Sequence, residues 1–395
     1  MNIVFDLAKR VRSEIRAAMW SILLVHLVFT ALGIILFTPL LGALGRLLLA
    51  LSSAEVLADT DIIYFLVSPF GMAALVVFGA MLITIVIFEQ AAMMLTYIAA
   101  TEESEEDLTA ILRYTAARAM IIFQFSVLLV LRLLVIILPF LAAGGLIGWL
   151  ALTKYDINYY LAHKPPVFYL AAVLIGALLL IMAFMVIRKL LSWSLTLPLI
   201  LWGKASPGES FAQSTRLVSS NKKLVALTLI SWGVSILLLS LLVFGLVQIL
   251  SSNIIPLFYH RMTLLLMVLG FLIALLVLGN FLITALASGS LAGLLVELSR
   301  HFGMPASVEG LGGVRKPWQL RLTKSRLALA CGGGALVSLL IGVGLVNSIQ
   351  PIDDVTVVAH RGAAGRAPEN TMASIKAAIE DKTDWVEIDV QETAD

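Results

Sequence analysis

The sequence predicts a mainly α protein: a polytopic membrane domain of about seven transmembrane helices, followed by a short soluble βαβ unit. Three observations predict it. Hydrophobic residues make up 60% of the chain and charged residues 13%, against about 45–50% and about 25% in soluble domains. The apolar residues gather into runs of the ~20 residues needed to cross the hydrocarbon core of a bilayer. Beyond residue 346 the runs stop and a strand–helix–strand pattern begins.

The spanning runs are 19–44, 70–99, 119–152, 167–187, 224–250, 262–297 and 327–346. Several exceed one bilayer crossing, which permits tilt. Pro139 and the Gly144–Gly145 pair mark a place for a kink in the third. The apolar stretch 190–202, with Pro198, reads either as a continuation of the fourth or as an interfacial piece. The first run has a charged lead but is too long for the core of a secretory signal, and no small-residue cleavage site ends it. Gly334, Ser338 and Gly342 give the seventh a small-residue face for close packing. Cys331 lies in the same run; as the single cysteine it excludes an internal disulfide and a cysteine metal site.

Lysine and arginine concentrate in cytoplasmic loops. Eighteen of them, from Lys9 to Arg326, fall on the side of the N-terminus, and four (Arg46, Lys154, Lys164 and Arg261) fall on the other. The expected topology is an N-terminus inside and, after seven crossings, a C-terminal segment outside. Residues 106–118 and 209–223 are both polar, helix-competent leads into a span, with Glu106/Arg113 and Glu209/Arg216 at equal spacing. They read as solvated amphipathic helices at the inner interface, or as the trace of a duplication. The net charge of +2 gives no footing for a nucleic-acid partner.

Residues 1–346 thus form the membrane domain, 347–354 a linker with Pro351, and 355–395 the soluble unit. Within it, 356–359 reads as a strand, 360–368 as a loop with Gly362 and Gly365, 369–381 as a helix and 385–390 as a second strand. This order builds parallel sheets and barrels. His360 and Arg361 follow directly on the first strand, at the end where such folds place chemistry. Histidine moves protons near neutral pH, and the arginine fork suits a phosphate. Glu387 and Asp389, two apart on a strand, share a face and are hard oxygen ligands for Ca²⁺ or Mg²⁺. Taken alone, each feature also has an ordinary structural explanation; together they suit phosphodiester cleavage.

The motifs His360-Arg361-Gly362, Pro368-Glu369-Asn370-Thr371 and Glu387-Ile388-Asp389-Val390, in this order, resemble the opening of glycerophosphodiester phosphodiesterases. The resemblance covers about a tenth of the chain; the helical region before it is similar to the membrane-anchored bacterial members in architecture. It implies a (β/α)8 TIM barrel in which His360 is an acid–base catalyst and Arg361 contacts phosphate. It also implies that Glu387 and Asp389 bind the divalent metal, with Glu369 as ligand or support. Members carry a second catalytic histidine and a further acidic ligand later in the barrel. The chain reaches Asp395 before either, so by itself it is expected to be an inactive part of a longer parent.

Two charges fall inside apolar runs, Glu89 in the second and Arg132 in the third. Ionisable groups at that depth are costly unless paired, so these two are expected to face each other or to line a polar cavity. His26, in the first run, is expected to be a packed or interfacial histidine.

The expected function is hydrolysis of glycerophosphodiesters to glycerol 3-phosphate and an alcohol outside the cytoplasmic membrane, with membrane lipids around the helices. The alternative is a scaffold or transporter for lipid or glycerol-phosphate polymer, with a remnant phosphodiesterase segment.

Overall fold

A computed structural model describes residues 2–37, 39, 42–43, 46, 68–102, 108–155, 157–203, 205–304 and 356–390. The chain divides into two compact units, Met1–Leu320 and Arg321–Asp395.

In the first unit the helices are α1 (Asn2–Ala17), α2 (Met19–Leu32, continued by a π-helical turn, Gly33–Phe37), α3 (Pro69–Thr101), α4 (Leu108–Ala117) and α5 (Ala119–Leu152). Then come α6 (Ile157–His163), α7 (Pro166–Ser192), α8 (Thr196–Leu201), α9 (Pro207–Ser220), α10 (Lys222–Ile254) and α11 (Met262–His301). Among the described residues five helical stretches are long and apolar enough to cross a membrane: Phe70–Thr101, Ala119–Leu152, Pro166–Leu201, Lys222–Phe258 and Met262–His301. They coincide with the second to sixth expected spans. The bent pair α1–α2 makes a sixth if it counts as one span, with 78° between its arms. The seventh expected span, with Cys331 and its small-residue face, and the 347–354 linker lie outside the described residues.

Local chemistry explains where helices start. Ser68 accepts a hydrogen bond from Gly71 N at 3.0 Å, with Pro69 at the first helical position of α3. Ser206 caps α9 in the same way, with Pro207 following. Such caps satisfy backbone donors that a helix start leaves open. Pro139 lies inside α5, which runs on through it rather than breaking.

The long helices pack in the sequence α7, α5, α3, α11, α10, with α2 against α3 and α11. Burial is uneven along them. The core gathers Ile22, Val25 and Phe29 of α2, residues 91–95, Tyr97 and Ile98 of α3, and Ala292 and Leu294–Val296 of α11. This is the end of the bundle where α1, α4, α8 and α9 also lie. At the opposite end buried residues are scattered, such as Ala74, Ala171 and Leu272, and α7 exposes Val173, Leu180 and Phe184. Large apolar side chains facing outward along such helices are what a lipid environment accommodates, and the chain is a membrane protein.

At the packed end, Gly289 and Gly293 let α11 approach its neighbours. A Cβ at Gly289 would stand 2.9 Å from Ile22 Cγ2, and one at Gly293 2.7 Å from Tyr97 Cε2. The helix α1 buries Leu7, Val11 and Ile15, one face of a helical repeat that Ala18 continues at the bend, and turns its basic residues outward. α4 buries Ala110, Ile111 and Thr115, and α9 buries Ser210, Phe211, Ser214 and Val218. These two polar leads are therefore docked on the bundle rather than solvated all round. The 190–202 stretch continues α7 and then tucks inward, with every residue of α8 buried.

In the second unit, β1 (Val358–His360) and β2 (Trp385–Glu387) pair in parallel, joined by α12 (Met372–Glu380). The register sets Val358 against Trp385, Ala359 against Val386 and His360 against Glu387.

Candidate active site

The second unit brings the three sequence motifs together at the C-terminal ends of its two strands. β1 delivers His360, and the register sets it beside Glu387, with the His360 Nε2 atom 3.7 Å from Glu387 Oε2. The imidazole is largely open to solvent, at 75% exposure.

The turn after β1 is built by two left-handed residues. Arg361 has φ 57° and Gly362 φ 80°. A Cβ at Gly362 would lie 2.4 Å from Ser374 Oγ, so conformation and space both demand glycine there. Ser374 also holds the turn: its hydroxyl lies within donating distance of Arg361 O, at 3.1 Å. The same residue closes a capping box with Thr371, whose Oγ1 accepts from Ser374 N at 3.2 Å. The reciprocal bond satisfies two open donors at the start of α12.

Arg361 is the hub. Its backbone N–H donates to Glu387 Oε2 at 3.0 Å, and its Nη1 donates to Glu369 Oε1 at 3.4 Å. Its Nε stands 2.7 Å from Asp389 Oδ2 as an ion pair, without the alignment of a hydrogen bond. Asn370 fixes Asp389 from the other side: its Oδ1 accepts from Asp389 N at 2.9 Å, and its Nδ2 donates to Asp389 Oδ2 at 3.4 Å. Asn370 itself has φ 57°, and its N–H donates to Arg361 O at 3.0 Å. All five expected site residues of this unit, His360, Arg361, Glu369, Glu387 and Asp389, thus meet in one cluster. Asn370 and Ser374 are the positioning residues that single-residue reading missed. Asn370 stood inside a quoted motif, and the Thr371–Ser374 pair has the spacing of a cap. Farther off, Arg366 pairs with Asp381 and Glu380, and the Asp381 hydrogen bond raises the Arg366 guanidinium above its ordinary value.

Carboxylate oxygens are the right chemistry for a hard cation. As placed, however, they do not hold one: among the described residues no three His, Cys, Asp or Glu side chains converge on a metal position. The Arg361 guanidinium meets Glu369 and Asp389, and its backbone N–H meets Glu387.

The intramembrane charges depart from expectation. Glu89 does not meet Arg132. Its Oε1 lies 2.7 Å from His26 Nδ1, and His26 Nε2 lies 2.9 Å from Thr284 Oγ1. His26 is buried and bridges α2, α3 and α11, with its ring 4.8 Å from that of Phe281. Arg132 instead places Cζ 3.9 Å from the Phe211 ring centroid and donates to Gly208 O at 3.3 Å. The reason is angular: Glu89 turns to the α2–α11 side of α3, whereas Arg132 turns to α9. A second buried acid, Glu297, accepts from Arg300 Nη1 at 2.8 Å and from Tyr97 Oη at 3.3 Å.

Comparison with known proteins supplies two family matches. Residues 8–317 match the membrane domain of glycerophosphoryl diester phosphodiesterase, and residues 360–395 match the glycerophosphoryl diester phosphodiesterase family. The putative glycerophosphodiester phosphodiesterase YhdW of Bacillus subtilis (strain 168) is 51% identical over 39 residues, 10% of this chain. The chain spans 16% of the length of that relative. No solved structure gives a significant match.

Proposed function

Because this chain belongs to the family defined by the membrane domain of glycerophosphoryl diester phosphodiesterase, we propose that it carries the membrane region and the opening of the catalytic domain of a phosphodiesterase. The enzyme hydrolyses glycerophosphodiesters to glycerol 3-phosphate and an alcohol. The observation that carries the reading is the single cluster at the strand ends, in which His360 and Arg361 are held against Glu387.

In this reading the phosphodiester docks with a phosphoryl oxygen on the Arg361 guanidinium, which offsets charge as the transition state forms. Water oxygen bonds to phosphorus, the bond from phosphorus to the alcohol oxygen breaks, and that oxygen takes up a proton. His360 is placed to move that proton, since it is exposed at the strand end, with Glu387 beside it in the register. Ser374 and Asn370 hold the Arg361 turn and Asp389 in register. Glu387, Asp389 and Glu369 are the groups that the family resemblance assigns to Ca²⁺ or Mg²⁺. Here they are engaged by Arg361, and no step above runs through a metal.

The βαβ unit is in this reading the first of a (β/α)8 barrel, and the distribution of lysine and arginine supports placing it outside, with the N-terminus in the cytoplasm. Deacylated phospholipid head groups are the substrates that fit best, because their glycerol phosphate is joined to an alcohol by the bond to be cut. The test is release of glycerol 3-phosphate by the full-length protein in membranes. His360→Ala is expected to lower turnover by about 10²–10⁴-fold, the usual contribution of a positioned acid–base group. Release unchanged in that variant overturns the assignment.

A further inference from the structure

We propose that the membrane unit holds one anionic phospholipid in a groove between α1, α10 and α11. The head group lies against Arg12 and Arg16, and an acyl chain runs along α10. The inference goes beyond the phosphodiesterase reading and does not depend on it.

The groove has a volume of about 880 Å³. Its walls are the flank of α1 that carries Ala8, Val11, Arg12, Ile15 and Arg16, the face of α10 from Thr228 to Leu239, and the face of α11 from Leu286 to Leu294. It exists because α1 does not continue the line of α2. The 78° bend lays α1 across α10 and α11, and the space beneath it is left open.

Three observations point to this ligand. First, charge: among the described residues the only ionisable side chains on its walls are Arg12 and Arg16. They are one helical turn apart on the same side of α1, and both are exposed, with no acidic partner among the described residues. Two guanidinium forks side by side suit a phosphodiester oxygen pair.

Second, an orphaned hydroxyl: Thr228 is 1% exposed, and its Oγ1 has no hydrogen-bond partner among the described residues. The other hydroxyls of the groove are satisfied within their helices: Ser235 by Ser231 O, Ser231 by Thr228 O, and Ser290 by Leu286 O. Leaving a buried hydroxyl unpaired is unfavourable. The oxygen is sealed as placed, and in the proposed complex the Thr228 side chain turns toward the α1 end of the groove, where a lipid ester or phosphate oxygen supplies the missing acceptor.

Third, polarity changes along the length. Thr228 and the arginines, set among apolar residues of α1, mark one end, whereas Ile236, Leu239 and Leu286 line the other together with Ser235, whose hydroxyl is spent on its own helix. From Thr228 to Leu239 is eleven residues, about 16 Å of helix, or roughly one leaflet of a hydrocarbon core about 30 Å thick. A molecule with a charged head and an apolar tail of leaflet length matches that gradient. Trp232, whose Nε1 donates to Ser290 Oγ at 2.9 Å, lies partway along and provides a built-in reporter.

The experiment uses the full chain in bilayers of phosphatidylcholine. A small fraction of either phosphatidylglycerol or phosphatidylcholine carries brominated acyl chains. The Trp232 signal is the difference in fluorescence between wild type and Trp232→Phe. Quenching of Trp232 by the brominated anionic lipid is expected at about thirtyfold lower mole fraction than by the zwitterionic one, the effect of two basic residues beside an anionic head group at about 1 kcal/mol each. Arg12→Gln/Arg16→Gln should abolish that preference, and Thr228→Val should weaken it. The lipid preference is read with both arginines intact, Trp232→Phe serving only as the fluorescence blank, so a folding defect in the arginine or Thr228 variants cannot mask it. Equal quenching by both lipids would mean that bulk lipid fills the groove, and quenching by neither would mean that protein closes it. Either result overturns the proposal while leaving the phosphodiesterase reading untouched.

Discussion

Glu89 is stabilised by a hydrogen bond with His26 of another helix rather than by the nearest formal opposite charge. Arg132 is the closest basic residue in the apolar sequence, and opposite charges at depth are expected to pair. The sequence does not show which way each side chain turns around its helix, and that angle decides the partner. His26 takes the place of the arginine, and Thr284 completes the bridge. Glu89→Gln should therefore destabilise the unit by about 1–3 kcal/mol, the cost of weakening a buried charged hydrogen bond. Arg132→Gln should cost about 1 kcal/mol or less, since it loses a contact with an aromatic ring. The double variant should be additive within about 0.5 kcal/mol, as for sites without shared partners. Thermal unfolding in detergent measures all three, and clear non-additivity would restore the Glu89–Arg132 pair.

The second to sixth spans were legible because each of those apolar runs is long enough for a bilayer crossing. Their packing faces were not. Long helices that are apolar all round carry no amphipathic stripe to mark the buried side, so nothing in the run 262–297 sets Gly289 and Gly293 apart from Gly270 or Gly279. The soluble unit was legible to the level of strand, helix and strand, and its motifs named the cluster. Its wiring was not legible, because it depends on left-handed backbone at Arg361 and Asn370. The glycines give an element-level prediction. Gly293→Leu drives a side chain into the fully buried Tyr97 and should cost roughly 1–3 kcal/mol through overpacking between α3 and α11. Gly270→Leu, with nothing within 4 Å of its Cβ position, should change stability by no more than about 0.5 kcal/mol. Similar losses at both positions would argue against the packed face assigned to α11.

At the scale of the whole chain, the orientation proposed from the basic residues has a direct test. In a Cys331→Ser background, cysteines are placed at exposed positions, Ser13→Cys in α1 and Lys376→Cys in α12. A maleimide that cannot cross membranes is expected to label Lys376→Cys in intact cells, and Ser13→Cys only after the cells are opened. Labelling of both from one side, or the reverse order, would overturn the topology. The uneven burial of the membrane unit bears on its mechanics. Protein packing holds the helices together at the end where α1, α4, α8 and α9 meet, while at the other end the long helices turn large apolar side chains such as Val173, Leu180 and Phe184 outward. A bilayer is therefore expected to act as a structural component of that part of the unit. Lateral pressure or thickness changes in the bilayer should shift helix spacing there while the packed end stays fixed. Removal of lipid should loosen the unit from the sparse end inward, like a fan opened from its free edge.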